Sequence, residues 1–481
     1  MTSERDGRPR IYPMSREQEE LWLDDLMLDG QSIYQESWAS RLTGHLDIGA
    51  LDWAIGEVVA RHEVLRTRLT EKGGEPVQIV AAPVPVRLAR VSCAPAAVEA
   101  ELSRIVAEPL DLDEAPIRPW LICVSPNEFD LVVQLHHAVI DDWSLNIFQR
   151  ELMHLYTARL LGEPPGLEPL PMQAGEFALA QRAEELNPAD VGYWRARVQA
   201  APRSCTIPPD GPGPEELPHR AGRHFFAISP ELGQAVRTAS RALRTTPFTV
   251  FAGAIATLLW RYGEPDEVIF GTPVSLRGSA AVDGMIGYLG NLLPLRLAVS
   301  RATSFRMLAK DTKAEIVGAM EHRTVPYSHI VRMTRRRGTD AGVPPLCDVI
   351  VVVDDMPWEP FSLPGVTAER IYVPPVRAKC ALHVTLVADD GGGYAGFFDY
   401  DADVFAAPTV ARVADQFATL LAHCVAAPDE PFGKRAMWNS PAGGGRLDNL
   451  PYAEPGSCHR VAGEQSGPDR RGDPGNAKED T

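Results

Sequence analysis

Two hydrophobic periods run through the chain. Phe129 to Leu135 is dominated by apolar and β-branched residues, which predicts a buried strand, and Leu145 to Leu155 carries helix-like spacing immediately after it. Upstream, Leu21, Trp22, Leu26 and Met27 recur at helical intervals behind Ser15 and Gln18, a capping-box pair that marks a helix start. Trp38 to Leu42 reads as a strand. Leu51, Ile55, Val58 and Val59 form the apolar stripe of a helix running to about His62. Leu69, Val77 to Val80 and Val84 to Leu88 are short strand candidates, Ala96 to Val106 a helix, and Ile117 to Val124 a strand. The alternation resumes near Phe225. Thr246 with Pro247 opens a long apolar helix, Phe248 to Trp260, since proline suits the first helical position. Strands are predicted at Glu267 to Phe270, Leu292 to Val299, Asp348 to Val353, Ala381 to Val387 and Tyr394 to Tyr400, then a last helix from Pro408 to Val425. Strands interleaved with helices predict an α/β fold.

Between residues 165 and 220 the period is lost. Pro208, Pro209, Pro212, Pro214 and Pro218 crowd one stretch, which reads as a linker or crossing between two halves. From Asn439 onward the chain is rich in Gly, Pro and charge, the composition of a disordered tail. The predicted organisation is a leader at 1–12, a first lobe at 13–185, a Pro-rich linker at 186–220, a second lobe at 221–438 and a tail at 439–481. The length of 481 residues, 45% of them hydrophobic, is ample for a sizeable core. A formal charge of −17 argues against a dominant nucleic-acid role. Seven scattered cysteines show neither a CxxC nor a metal-ligand spacing, so they read as reduced thiols. No apolar run approaches the roughly 20 residues a membrane span needs, and the first ten residues lack the apolar core of a secretory signal. A cytoplasmic protein without a membrane partner is the expectation.

Chemistry concentrates where the Phe129 strand should end, at His136, His137, Asp141, Asp142, Trp143 and Ser144. Neighbouring side chains on a strand point to opposite faces, so the two histidines divide their roles, one facing the interior and one a cleft. A carboxylate four residues beyond the second histidine can fix the turn by pairing with a cation or with backbone amides.

This assembly resembles the HHxxxDG signature of the condensation domains of nonribosomal peptide synthesis, within the chloramphenicol acetyltransferase-like superfamily. Other stretches follow in the family's order: Met14 to Trp22, Arg61 to Thr67 (matching RHExLRT), Gly271 to Ser275, Ile286 to Asn291 with Pro294 to Arg296, Val325 to Tyr327, and Pro345 with Leu346. The resemblance implies two acetyltransferase-like lobes forming a V with the site in a tunnel between them. It implies a condensation enzyme passing an acyl or aminoacyl group from a carrier-protein phosphopantetheine thioester to a small-molecule amine or alcohol. Since no stretch resembles the Gly-Ser-Leu phosphopantetheine-attachment motif or a P-loop and there is no room for an adenylation domain, a free-standing, monomeric enzyme is the expectation. A silent recruitment module of the X-domain kind and an acyl-CoA-dependent acyltransferase are the alternatives. No metal or redox cofactor is implied; phosphopantetheine arrives with the donor carrier.

Residue by residue, the resemblance makes His137 the catalytic base or positioner, His136 a buried structural ring and Asp141 one half of a salt bridge with Arg66 or Arg61. Asp142 departs from the family, which has glycine there. A left-handed backbone at that position would cost about 1–2 kcal/mol, and the side chain could obstruct the donor. Ser144, Ser275 and Asn291 could donate to substrate or serve as turn and cap residues, and Trp143 reads as core or tunnel wall. Arg332, Arg335, Arg336 and Arg337 form one dense basic run, either a carrier-docking surface or a solvated loop. Lys379 matches a family lysine, but Ala381 replaces the aspartate usual two residues later. Gly391 to Gly393 reads as a hairpin turn.

Overall fold

Ser15 forms the predicted capping box with Gln18, and the helix Arg16–Met27 follows from it. The computed structural model describes residues 9–28, 31–83, 86–199, 201, 206–211, 219–334, 346–354 and 360–434. Two large sheets carry the architecture. A five-stranded sheet has the order Val366–Ile371, Gln35–Gly44, Glu128–His136, Ile117–Ser125, Ala89–Ser92. Its central strand, Glu128–His136, is covered on both sides, which explains its nearly unbroken apolar sequence. Leu131, Val133 and Leu135 pack with the helices Ile48–Arg61 and Asp142–Leu161, whereas Val132 packs with Ile105 and Ile122 on the opposite face.

The second sheet has six strands in the order Gly290–Ala298, Glu267–Ser275, Val349–Asp354, Leu382–Ala388, Tyr394–Asp401, Ala221–Ile228. Val349–Asp354 runs parallel to its neighbours and the other pairs are antiparallel, so the sheet is mixed. One face buries Val384, Leu386 and Phe398, with Phe417 of the helix Ala407–Ala426 against Phe398. On the other face, cross-strand register sets His383 beside Asp399 and Asp399 beside Arg223. Tyr394 follows a tight turn in which Gly392 adopts φ +85°, a conformation that favours glycine, as the Gly391–Gly393 run predicts. The fold is α/β with two lobes, each built on one large sheet.

The strand Val366–Ile371 comes from the second half of the chain yet completes the first sheet, antiparallel to Gln35–Gly44. Further along the same half, Lys379 pairs with Glu36, next to the His136 end of the central strand.

Three local expectations are corrected. The leader predicted at 1–12 is structured from Arg10, since Arg10–Pro13 pairs with Glu75–Val80 in a small three-stranded sheet. No strand forms over 86–88; the strand lies at Ala89–Ser92, because Pro83 and Pro85 cannot donate to a ladder. The 186–220 linker contains the helix Pro188–Val198, capped by Asn187 and anchored by fully buried Trp194, whose Nε1 donates to the His322 carbonyl at 2.8 Å. The predicted disordered tail and Arg335, Arg336 and Arg337 lie outside the described residues. Among those residues no single helix is long and apolar enough to cross a membrane.

Candidate active site

The alternation of a strand separates the two histidines as expected. His136 faces inward and is fully buried: Nε2 meets Asp25 Oδ2 at 2.8 Å and Ser32 Oγ at 3.1 Å, while Nδ1 accepts from the Ala138 N–H at 3.1 Å. His137 keeps accessible surface. Its backbone N–H donates to the Tyr34 carbonyl at 2.8 Å, and its ring lies against Tyr288 with centroids 4.9 Å apart.

The tautomer follows from one contact. His137 Nδ1 lies 2.8 Å from the Ile140 carbonyl, which can only accept, so Nδ1 carries the proton and the Nε2 lone pair is left outward. No hydrogen bond to Nε2 is formed among the described residues. Burial, then the Lys379 ammonium, hold the imidazole down to about 4, so it is neutral near pH 7. The sign of the linkage is set by that direction. The neutral ring contributes stability that is present above about 6.5, where free histidine titrates, and is lost as pH falls through about 4. Histidine-labelled NMR should show His137 as the Nδ1–H tautomer titrating near pH 4; a midpoint near 6.5 would contradict this environment.

Asp141 is the N-cap of the helix Asp142–Leu161 and a knot between the two halves of the chain. Oδ1 accepts from the Ser144 N–H at 2.7 Å and Oδ2 from the Leu289 N–H at 3.1 Å. Its cation is Arg277, at 3.2 Å, with the two side chains 13% and 5% exposed. The expected partners are therefore corrected. Arg61 pairs with Glu151 at 3.1 Å, which also holds His62 at 2.8 Å. Arg66 meets Glu63 at 3.4 Å and donates to the Ala81 carbonyl. The guanidinium of Arg277 also donates to the carbonyls of Val282 and Met285 and to Ser144 Oγ, fixing the loop that carries Tyr288 beside His137.

The other predicted residues sort into structural roles. Buried Ser144 spends its hydroxyl on Arg277 and on both backbone groups of Gly287, tying its helix to a distant loop, while the helix cap itself is Asp141. Ser275 Oγ accepts from the Arg277 N–H at 3.1 Å and shapes the turn that presents that arginine. Asn291 donates to the carbonyls of Arg323 and Val325 at 2.8 and 2.7 Å and accepts from Tyr327 and Leu292. Trp143 is neither core nor sealed wall: it is 52% exposed, and Nε1 donates to the Asp283 carbonyl at 2.9 Å. Asp142 occupies the first turn of its helix, and only Arg244 and Glu264 among described non-glycine residues have positive φ, so no left-handed strain is stored there. Its carboxyl remains exposed.

Sequence reasoning did not find the charged wall opposite His137. Glu36 lies opposite Leu135 on the neighbouring strand, so Glu36 and His137 share one sheet face as diagonal neighbours. Lys379, from the segment preceding Leu382–Ala388, forms an ion pair with Glu36, and Arg377 of that segment donates to Gln31 at 2.9 Å. Burial alone would raise Glu36, but Lys379 outweighs it and holds the carboxyl at about 2; Lys379 is raised in turn because Glu36 outweighs its burial. On the second sheet, burial lowers His383 to about 4, and its Nε2 is buried without a hydrogen bond. Beside it Arg223 grips Asp399 at 2.5 and 2.7 Å. The one available signal was Lys379 itself, a lone cation without its customary aspartate.

Residues 9–440 match the family described as Condensation domain. The chain is 30% identical over 474 residues to CymA of Salinispora arenicola, a probable non-canonical nonribosomal peptide synthetase, covering 94% of this chain and 6% of that one. It is 31% identical over 427 residues to the phosphinothricin tripeptide synthetase PhsC of Streptomyces viridochromogenes, covering 86% of this chain and 39% of that protein. The chain thus spans a minor part of these curated relatives. Among solved structures, SgcC5 of Streptomyces globisporus, crystallised with a naphthyl ethanediol and sucrose, superposes with a TM-score of 0.72 at 26% identity, covering 87% of this chain and all of SgcC5. The X-domain from teicoplanin biosynthesis superposes with a TM-score of 0.80 at 24% identity, covering 89% and 98% of the two chains, a likeness of fold.

Proposed function

The chain belongs to the condensation-domain family, and from that premise we propose that it transfers an acyl or aminoacyl group from a phosphopantetheine thioester on a carrier protein to an amine or hydroxyl acceptor. The product is an amide or an ester. The observation that carries this reading is the outward Nε2 lone pair of a neutral His137 at an accessible position. An acceptor N–H or O–H placed against Nε2 loses its proton as the nucleophile bonds to the thioester carbonyl. The tetrahedral adduct then expels the thiolate, which recovers the proton from the imidazolium. General-base assistance of this kind is worth about 10²–10⁴-fold, and holding two substrates in line contributes up to roughly 7–11 kcal/mol.

A second reading, a recruitment module that binds a carrier without turnover, is favoured by Asp142 standing where the family motif has glycine. Incubating the protein with an acylated carrier, or with the same acyl group on CoA, and a panel of amines and alcohols separates these readings by mass spectrometry. Product from the carrier thioester is the expected result. Tight carrier binding without product for any acceptor would establish the recruitment role, and equal turnover of the CoA thioester would remove the carrier requirement.

A further inference from the structure

Among the described residues the His137 ring has one hydrogen bond, to the Ile140 carbonyl three residues on, and a single bond leaves the plane of an imidazole free to tilt. The surface that meets that plane is the ring of Tyr288, 4.9 Å away between centroids and inclined by 54°. Tyr288 is itself wedged in place. It packs against the apolar cluster that holds Met14, Trp22 and Ala138, the residue next to His137. It also lies over Gly290, where a Cβ would stand 3.1 Å from the Tyr288 ring carbon Cε2, closer than side chains normally pack. Glycine there leaves the room that the ring occupies. The backbone on either side of Tyr288 is tied down as well. The N–H groups of Ile286, Gly287 and Leu289 donate to His62 Nδ1, Ser144 Oγ and Asp141 Oδ2 at 3.3, 3.0 and 3.1 Å. All three acceptors belong to the first lobe, as His137 does. A loop from the second half of the chain is thus built onto the lobe that carries the imidazole, and its one aromatic ring is set against that imidazole.

We propose that Tyr288 is a positioning residue for acyl transfer: its ring and the Ile140 carbonyl together hold the His137 imidazole in the one orientation that keeps Nε2 outward. The inference rests on the acyl-transfer reading above and adds a residue to it. The acceptor's proton moves to Nε2 as its nitrogen or oxygen bonds to the thioester carbon. The C–S bond then breaks, and the thiolate takes that proton back from the imidazolium. The same ring must therefore stay in line through two proton transfers. A displacement of about 1 Å in such an arrangement can cost roughly 10²-fold in rate. Burial pushes the Tyr288 phenol above its ordinary pKa, so the support is an uncharged surface and adds no charge beside the imidazole.

A structural alternative is plain: a large aromatic side chain contributes buried area wherever it packs. The two roles separate when the imidazole is observed as well as the rate. With an acylated carrier and an acceptor that the wild-type chain turns over, Tyr288→Leu should lower kcat by about 10–100-fold and leave KM for donor and acceptor nearly unchanged. Tyr288→Phe, which keeps the ring, should restore most of that rate. Gly290→Ala, whose methyl group displaces the ring without altering it, should fall between them. In histidine-labelled NMR at pH 7, where His137 is neutral, Tyr288→Leu and Gly290→Ala should show a mixture of Nδ1–H and Nε2–H forms in place of the Nδ1–H form alone. Wild-type kcat in Tyr288→Leu would overturn the proposal. So would an equal loss in Tyr288→Phe, which would assign the role to the hydroxyl. A lowered rate and thermal midpoint with the Nδ1–H form intact would also overturn it, as the mark of packing alone. If Tyr288→Leu does not fold, an unchanged rate and Nδ1–H form in Gly290→Ala overturns it in the same way. A shifted tautomer balance in a chain that transfers no acyl group would uphold the hold of Tyr288 on the imidazole and remove the transfer reading alone.

Discussion

Replacing His137 by alanine should lower the rate of acyl transfer by about 10²–10⁴-fold while leaving the fold intact. Among the described residues the ring's only hydrogen bond runs from Nδ1 to the Ile140 carbonyl within its own short turn. Losing such a bond costs about 0.5–1.5 kcal/mol, small against the stability of a chain with two large sheets. His136→Ala should behave in the opposite way. It strips Asp25 and the Ala138 N–H of a partner in the fully buried interior, so soluble protein should be lost before rate can be compared. Product formation under single-turnover conditions, with the thermal midpoint as control, checks both. A His137→Ala protein with wild-type turnover would remove the imidazole from the reaction. His137→Gln adds a distinction, since an amide can hold a nucleophile but cannot accept its proton near pH 7. Full retention of rate in that variant would make positioning the role of His137.

The second large effect is structural. Asp141→Ala should destabilise the chain by roughly 3–5 kcal/mol, the usual cost of stranding one member of a buried ion pair. Three losses coincide at this residue: the Arg277 pair, the cap on Ser144 and the acceptor for Leu289. Arg277→Ala should cost a similar amount, because its guanidinium also holds Ser144 and the carbonyls of Val282 and Met285. The double variant should cost clearly less than the sum, since either single change already breaks the shared knot. Urea denaturation of the four proteins measures this coupling. The same cycle between Asp141 and Arg66 should give none, because Arg66 is committed to Glu63 and the Ala81 carbonyl. Additivity for Asp141 with Arg277, or coupling with Arg66, would refute the assignment. Because the knot fixes the loop bearing Tyr288 against His137, folded Arg277 variants should also lose rate.

Local periodicity made much of this protein legible before any coordinates. The inward and outward histidines follow from a backbone property, the period of two along a strand, and need no tertiary information. The capping box at Ser15 and the Pro247 helix start are equally local, as each is satisfied within four residues. The order of short motifs was enough to indicate the family and the two-lobed α/β fold. Failures arose where one residue decided an element, as fully buried Trp194 does for the helix in the predicted linker.

Pairing across the chain belonged to the tertiary structure alone. Asp141 meets Arg277 at a separation of 136 residues, and nearby Arg61 and Arg66 are equally plausible in one dimension. The Glu36–Lys379 pair spans 343 residues and depends on which segment of the second half crosses over the first sheet. Asp142 shows the same division. Its place in the motif, and its departure from glycine, can be read from the linear order of residues. Its relaxed backbone and its exposed carboxyl could not, because side-chain identity constrains neighbours along the chain, whereas exposure is set by whatever packing brings close in space.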